Sequence, residues 1–316
     1  NRTPIMKLAF VFPGQGSQSV GMLNALAEAH PRVKNTFAEA SAALGYDLWA
    51  IVSSGPEERL NQTEITQPAM LTAGVAVWRV WQQLGGPQPT VMAGHSLGEY
   101  SALTCAEAIG FADAVKLVAD RGRFMQEAVP AGQGGMAAIV GLDDDQVRVL
   151  CEQNANGEVL APVNFNSPGQ VVIAGTAAAV GRAVANAKAA GAKLAKPLPV
   201  SVPSHCALMH PAAERMRARL KQVEVRAPRI PVLHNAHVRA ETDPEAIRDA
   251  LVRQIESPVR WVETVQKMAA DGIGKLVECG PGKVLAGLNK RIAKDSQTLP
   301  VYDPETLAQA RTALSG

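Results

Sequence analysis

Gly94-His95-Ser96-Leu97-Gly98 sets a serine between two glycines. The pentapeptide follows an apolar run, Thr90-Val91-Met92-Ala93, and opens a segment, residues 97–106, that reads as a helix. G-x-S-x-G between a strand and a helix is the nucleophile-elbow pattern. The sharp turn lifts the hydroxyl clear of the backbone. The glycines remove side chains where strand and helix pack closest. The helix N-terminus behind the serine offers free N–H groups and a positive dipole end to a developing oxyanion.

A serine hydroxyl is a poor nucleophile at neutral pH and needs a base. The chain has six histidines. His95 adjoins the serine, where local geometry points the two side chains apart. His30, His210, His234 and His237 have no distinctive setting. His205 lies in Ser201-Val202-Pro203-Ser204-His205-Cys206, where the chain should re-enter a cleft between domains. It reads either as the base or as a hydrogen-bonded structural histidine. A triad normally adds an acid, in the order Ser, Asp/Glu, His for α/β-hydrolases. None of the acidic residues between Ser96 and His205 has a diagnostic setting, so a carbonyl oxygen could hold the imidazole instead. Cys206 reads as a small buried thiol rather than a nucleophile. Gly14-x-Gly16 lacks the third glycine of a dinucleotide fingerprint, and Gly282-Lys283 lacks the rest of a P-loop.

These residues need a scaffold, and 316 residues can bury a large core in one domain or two. Hydrophobic content of 47% and charge of 19% suit a soluble globular protein. Few aromatics among abundant Ala, Val and Leu favour helices on a parallel sheet over a β-sandwich. The net charge is +2, and no Lys/Arg run is interleaved with aromatics, which argues against nucleic acid as a partner. Cys105, Cys151, Cys206 and Cys279 are far apart, without C-x-x-C or zinc spacing, and read as reduced thiols of a cytoplasmic protein. No apolar run approaches the roughly 20 residues of a membrane span. The run Leu8-Ala9-Phe10-Val11-Phe12, cut by Pro13, is too short for a signal peptide. Residues 1–5 precede Met6 and read as an addition to the natural start.

Residues 7–12 read as a buried strand, followed by a Gly/Gln/Ser loop over 13–18. Helical patterns dominate to about residue 84, and 111–125 is helical again and carries Arg121. Residues 130–135, Pro-Ala-Gly-Gln-Gly-Gly, read as a hinge. Beyond it come a strand at 136–141, a helix at 143–154, strands at 159–164 and 170–175, a helix at 176–190 and an extended piece at 192–199. That β-α-β-β-α-β order is the ferredoxin-like signature. It predicts a small domain at 130–198 inserted into a large one at 6–129 and 199–316, the alternative being a continuation of the large sheet. After Val200 the pattern predicts a short strand at 231–235 and a helix capped by Asp243-Pro244 that carries Gln254. A second helix to about residue 271, a strand at 275–279 and a last helix after Gly280-Pro281-Gly282 follow.

Six motifs stand in order. They are Phe12-Pro13-Gly14-Gln15-Gly16-Ser17-Gln18, Gly94-His95-Ser96-Leu97-Gly98-Glu99-Tyr100, Arg121-Gly122, Asn164-Phe165-Asn166-Ser167-Pro168-Gly169-Gln170, Val202-Pro203-Ser204-His205 and Glu278-Cys279-Gly280-Pro281-Gly282. Together they resemble the malonyl-CoA:acyl carrier protein transacylases of bacterial type II fatty acid synthesis, over residues 7–291. The last two dozen residues carry no distinctive motif. The resemblance implies an α/β fold, an α/β-hydrolase-like core with a parallel sheet plus an inserted ferredoxin-like small domain. It implies that Ser96 becomes malonylated, with His205 as base and the Gln254 backbone carbonyl in place of the triad acid. The main-chain N–H groups of Gln15 and Leu97 are the implied oxyanion hole, and Gln15 and His95 the implied neighbours of the substrate. Arg121 is implied to pair with the malonyl carboxylate, which a guanidinium fork matches bidentately. The Gln254 side chain is given no role, so Gln254→Ala should be far milder than His205→Ala.

The implied partners are malonyl-CoA and acyl carrier protein, with no metal or redox cofactor and a monomeric enzyme. Lys290 and Arg291 are candidates for docking an acidic carrier protein, against the plainer reading of a solvated helix face. One rival is a serine hydrolase, a thioesterase or carboxylesterase, in which water is the second acceptor. Another is a non-catalytic module that binds carrier protein, against which the intact Ser96, His205 and Arg121 set argues.

Overall fold

The computed structural model describes residues 7–315. Residues 1–5, Met6 at the start of the expected large domain and Gly316 at its end lie outside the described residues. In chain order the strands are β1 (Leu8–Phe12), β2 (Val91–Gly94), β3 (Gly134–Val140), β4 (Leu160–Ser167), β5 (Gln170–Thr176), β6 (Leu194–Pro197), β7 (Val232–Leu233), β8 (Lys275–Cys279) and β9 (Gln297–Val301). Among the described residues they build two sheets, one in the order β7-β2-β1-β8-β9 and the other β4-β5-β3-β6. Every pairing in the first is parallel and every pairing in the second antiparallel.

The parallel sheet is buried on both faces, which is why β1 is an unbroken apolar run. Leu8, Phe10 and Phe12 face one core, which takes in helices Pro31–Leu44, Thr63–Gln83 and Phe111–Ala128. Ala9 and Val11 face the other, against Trp261, Val265 and Met268. Phe10 sits edge-on to Trp78 and Trp81, with ring centroids 5.1 and 5.4 Å away. Helices Thr63–Gln83 and Phe111–Ala128 touch backbone to backbone at Gly122, where a Cβ would lie 2.8 Å from Glu64 Cα. That approach sets Arg121 beside Gln67.

The antiparallel sheet carries helices Asp144–Asn154 and Ala177–Ala187 over Ala137, Ile139, Val171 and Ile173. Its other face, Met136, Val163, Val172 and Ala174, packs with Cys206, one residue past His205. Two main-chain bonds tie β4 to the large unit, Val259 N–H to Val163 O at 2.7 Å and Phe165 N–H to Val259 O at 3.0 Å.

Two expectations need correction. Residues 134–135 are not part of a hinge, because they open β3 and pair with Thr176 and Gly175. Glycine at 134 answers a packing demand, since a Cβ there would lie 2.5 Å from Pro203 Cδ. The chain also does not end on the helix Val284–Ile292. It adds β9 along β8 and a closing helix, Pro304–Leu314, opened by an Asp303–Thr306 capping box. The Asp303-Pro304 pair is the same signal that starts the helix Pro244–Ile255.

Glycines at backbone crossings and glycines on open surfaces should therefore respond oppositely. A Cβ on Gly98 would come within 2.1 Å of Phe12 O, whereas Gly181 opens on empty space. Gly98→Ala should lower unfolding free energy by about 3 kcal/mol in a denaturant titration. Gly181→Ala should raise it by about 0.5–1 kcal/mol. Equal effects would show that crowding at Gly98 is absorbed by movement.

Candidate active site

β2 ends at Gly94, and the helix Gly98–Cys105 begins four residues later. Ser96 turns the chain between them with φ +52°, a region that residues with a Cβ rarely occupy. A Cβ on Gly94 would lie 1.9 Å from the Gly98 carbonyl carbon, and one on Gly14 would lie 2.4 Å from His95 O. The loop after β1 therefore lies directly against the elbow. Among the described residues, the N–H groups of Gln15 and Leu97 are committed to no protein acceptor. Both stay free to donate to an oxyanion.

Ser96 Oγ is 2.7 Å from His205 Nε2, and His205 Nδ1 is 2.7 Å from the Gln254 carbonyl oxygen. A carbonyl only accepts, so Nδ1 carries the proton and Nε2 presents its lone pair to the serine hydroxyl. His205 is buried, has φ +65°, and donates its own N–H to Ile255 O at 3.0 Å. Burial pushes its pKa down to about 3, and the Arg121 charge pushes the same way against the Gln254 carbonyl. The imidazole is thus neutral at neutral pH and can take a proton from an attacking Ser96 Oγ.

Arg121 is 1% exposed. Its Nη1 donates to Gln67 Oε1 and its Nη2 to Gln254 Oε1, both at 2.8 Å, and Nη2 lies 3.4 Å from Ser96 Oγ. The guanidinium carbon stands 5.3 Å from the centre of the Tyr100 ring, and Nε has no hydrogen-bond partner. Burial lowers the Arg121 pKa. Two neutral amides and a ring surround a buried cation, and among the described residues no carboxylate pairs with it. A negatively charged group brought to Ser96 Oγ would complete that pair.

His95 donates from Nε2 to Asn166 Oδ1 at 2.7 Å, away from Ser96, and its ring lies 5.6 Å from that of Trp261. Burial holds its pKa below the ordinary imidazole value. A cleft of about 410 Å³ opens beside His95 and Gln15. Asn164, Asn166 and Gln170 supply amides to its wall, and Val140, Val172 and Leu288 supply apolar surface. Leu288 lies on the helix Val284–Ile292, whose last turn holds the exposed Lys290 and Arg291. Among the described residues, no cluster of three or more His, Cys, Asp or Glu could hold a metal ion, and no helix is long and apolar enough to cross a membrane.

Some of the site is absent from the sequence reading. Beyond its carbonyl, Gln254 donates from Nε2 to Ser96 O at 2.8 Å while Oε1 accepts from Arg121. One residue thus holds the base, the cation and the elbow. Gln67 is a second anchor of Arg121. His234, read as having no distinctive setting, is fully buried with Nδ1 3.1 Å from Glu99 Oε2. Asn235, the next residue, bonds to Ser96 and Gly94. The available signal is position, since Asn235 leaves β7 at the carboxyl edge of the parallel sheet, where open α/β sheets build their sites.

The acyl transferase domain family matches residues 9–312. The malonyl CoA-acyl carrier protein transacylase of Salmonella typhimurium is 61% identical over 306 residues, 97% of this chain and 99% of that protein. The chain belongs to the malonyl CoA-acyl carrier protein transacylase family. The solved transacylase from Coxiella burnetii superposes with a TM-score of 0.98 at 51% identity, covering 100% of both chains. A malonyl-transacylase solved in complex with its type II PKS acyl-carrier protein superposes with a TM-score of 0.96 at 56% identity, over 97% of this chain and 99% of that one. The family match takes in β9 and most of the closing helix, so the segment without a motif in the sequence belongs to the transacylase fold.

Two outcomes follow for this transacylase site. Gln254→Ala removes side-chain anchors of Arg121 and Ser96, so kcat/KM for malonyl-CoA should fall at least about tenfold. A loss under about threefold would return the residue to its main-chain bond alone. The base must be neutral to act, and a lowered pKa moves its loss to more acidic solution. The Ser96 acylation rate should therefore stay flat from about pH 8 to about pH 5. A rate that halves near the ordinary histidine value of about 6.5 would contradict the buried setting of His205.

Proposed function

We propose that the chain carries a malonyl group from malonyl-CoA to the phosphopantetheine thiol of acyl carrier protein, for fatty acid elongation, through a malonyl-Ser96 intermediate. The observation that carries this reading is the buried Arg121 guanidinium, 3.4 Å from Ser96 Oγ and lacking a carboxylate partner among the described residues. An acyl group ending in a carboxylate supplies that partner, and the fork of the guanidinium binds it bidentately.

Ser96 Oγ attacks the thioester carbonyl as its proton passes to His205 Nε2, and the Gln254 carbonyl keeps Nδ1 protonated. The oxyanion falls between the Gln15 and Leu97 N–H groups. Collapse breaks the C–S bond, and the departing CoA sulfur takes the proton from His205. The carrier-protein thiol then gives its proton to His205 and attacks malonyl-Ser96 in the reverse sense. The route uses no metal or redox cofactor. A pantetheine arm carries two amides on an otherwise apolar chain, which suits a cleft walled by Asn164, Asn166 and Gln170 on one side and by aliphatic residues on the other. A hydrolase would use Arg121 equally, and what favours transfer over hydrolysis is kinship with the malonyl CoA-acyl carrier protein transacylases, one of them solved with its acyl-carrier protein.

The same reading divides the chain into a large α/β-hydrolase-like unit, residues 6–129 and 199–316, and a ferredoxin-like unit, residues 130–198. The strand–elbow–helix at Ser96 supports the first, and the β-α-β-β-α-β order of an antiparallel sheet supports the second. Lys290 and Arg291, exposed on a helix that flanks the cleft, are the proposed docking residues for an acidic carrier protein. The enzyme is taken as cytoplasmic and monomeric.

Intact-mass analysis after exposure to malonyl-CoA tests the intermediate, and should show one malonyl group on the parent and none on Ser96→Ala. Losing one partner of a solvent-excluded ion pair costs about 2–5 kcal/mol. Arg121→Ala should therefore lower the malonyl/acetyl ratio of kcat/KM more than about tenfold. Arg121→Lys should rescue only part, because an ammonium lacks the two parallel donors. An unchanged ratio in Arg121→Ala would mean that another residue reads the carboxylate.

A further inference from the structure

Both polar groups of the Ser96 backbone are held by side-chain amides. Asn235 is fully buried. Its Oδ1 accepts from the Ser96 N–H at 2.8 Å, and its Nδ2 donates to Gly94 O at 2.7 Å. One planar amide thus spans the turn from the last residue of β2 to the serine. Asn235 is itself fixed from behind, because its N–H donates to Glu99 Oε1 at 2.5 Å. The other Glu99 oxygen accepts from His234 Nδ1 at 3.1 Å. Glu99 lies in the first turn of the elbow helix, and its own N–H donates to Ser96 O at 3.0 Å. The bonds close a ring that runs from Ser96 to Asn235, to Glu99 and back to Ser96. Gln254 Nε2 braces it at Ser96 O, 2.8 Å, and at Asn235 Oδ1, 3.3 Å.

We propose that Asn235 is a positioning residue for acyl transfer, a clamp across the elbow that Glu99 holds in place. The proposal rests on the nucleophilic role read for Ser96. Asn235 acts in two ways. It occupies the Ser96 N–H, so the free donor of the elbow is the N–H of Leu97. It also fixes the φ +52° turn that directs Ser96 Oγ at His205 Nε2. A hydroxyl displaced by about 1 Å from its line of attack loses about 100-fold in rate, although substrate binding elsewhere in the cleft is unaltered. Removing the amide also takes away the side-chain partners of the Ser96 N–H and the Gly94 carbonyl, so the strained turn loses two of the bonds that hold it.

The test compares the parent, Asn235→Ala and Asn235→Asp. Rapid-quench intact-mass measurement gives the rate of malonyl-Ser96 formation, steady-state kinetics give KM for malonyl-CoA, and thermal melting reports folding. Asn235→Ala should acylate about 30-fold more slowly or worse, with KM within about threefold of the parent. Asn235→Asp is isosteric and keeps the acceptor for the Ser96 N–H but lacks the donor to Gly94 O. It should be slowed about tenfold, and it carries the test should the alanine protein fail to fold. A folded variant of either kind that acylates within about threefold of the parent overturns the proposal. So does a rise in KM that accounts for the whole loss of kcat/KM. A parent that takes no malonyl on Ser96 overturns the functional reading and this proposal together, whereas a labelled parent beside a fully active Asn235→Ala overturns this proposal alone.

Discussion

The site depends on a contact between backbones. At the elbow, β2, the helix that follows it, the end of β1 and the loop beyond β1 meet with no room for a Cβ at Gly94, Gly98 or Gly14. That closeness lays the loop that carries Gln15 against His95 and Leu97, where Ser96 turns at positive φ. A turn so strained needs outside bonds to hold it. They come from Asn235 and Gln254, which stand on elements more than a hundred residues away along the chain. The elbow thus takes its shape only in the folded sheet, because the Gln15 loop, the His205 imidazole and the bracing amides of Asn235 and Gln254 all arrive from other elements.

This division also explains what the sequence made legible. Gly94, Ser96 and Gly98 are close in the chain, and the physics that selects them is local: sterics, a helix N-terminus and a turn. Strands inside the buried parallel sheet announced themselves as apolar runs, β1 most plainly. The antiparallel unit was readable from its alternation of strands and helices. Asn235, Gln67 and the Gln254 side chain were not, because an amide carries no pattern until tertiary structure brings it to a partner. Gly134 was misread for a related reason. A Gly-Gly pair signals freedom when read locally, yet here it signals close approach to Pro203. The closing strand and helix, β9 and Pro304–Leu314, lie on the sheet edge away from the chemistry, where no motif marks them.

The charge arrangement bears on the choice between transfer and hydrolysis. His205 leans on a neutral carbonyl and sits near a buried cation, and its pKa of about 3 makes it a weak base. A thiol, with an unperturbed pKa of about 8.5, needs little help to lose its proton. Water, at about 15.7, needs far more. The Ser96 hydroxyl makes much the same demand on His205 as water does, so base strength alone does not exclude hydrolysis, but a thiol asks least of this base, in keeping with a transferase whose second acceptor is a carrier thiol.

The missing triad acid follows from the same constraint. Gln254 touches His205 through its carbonyl and Arg121 through its side chain, so one residue serves both groups and an acid introduced at its side chain would meet the guanidinium. A carboxylate there would pair with Arg121 in a solvent-poor pocket and compete with the carboxylate of the acyl group. It would also raise the basicity of His205 and make water a better acceptor. A neutral residue at 254 keeps the cation unpaired and the base weak. The carbonyl partner of His205 and the amide partner of Arg121 thus share one structural cause, a neutral residue at 254, while the one carboxylate buried at the elbow, Glu99, is taken up by Asn235 and His234.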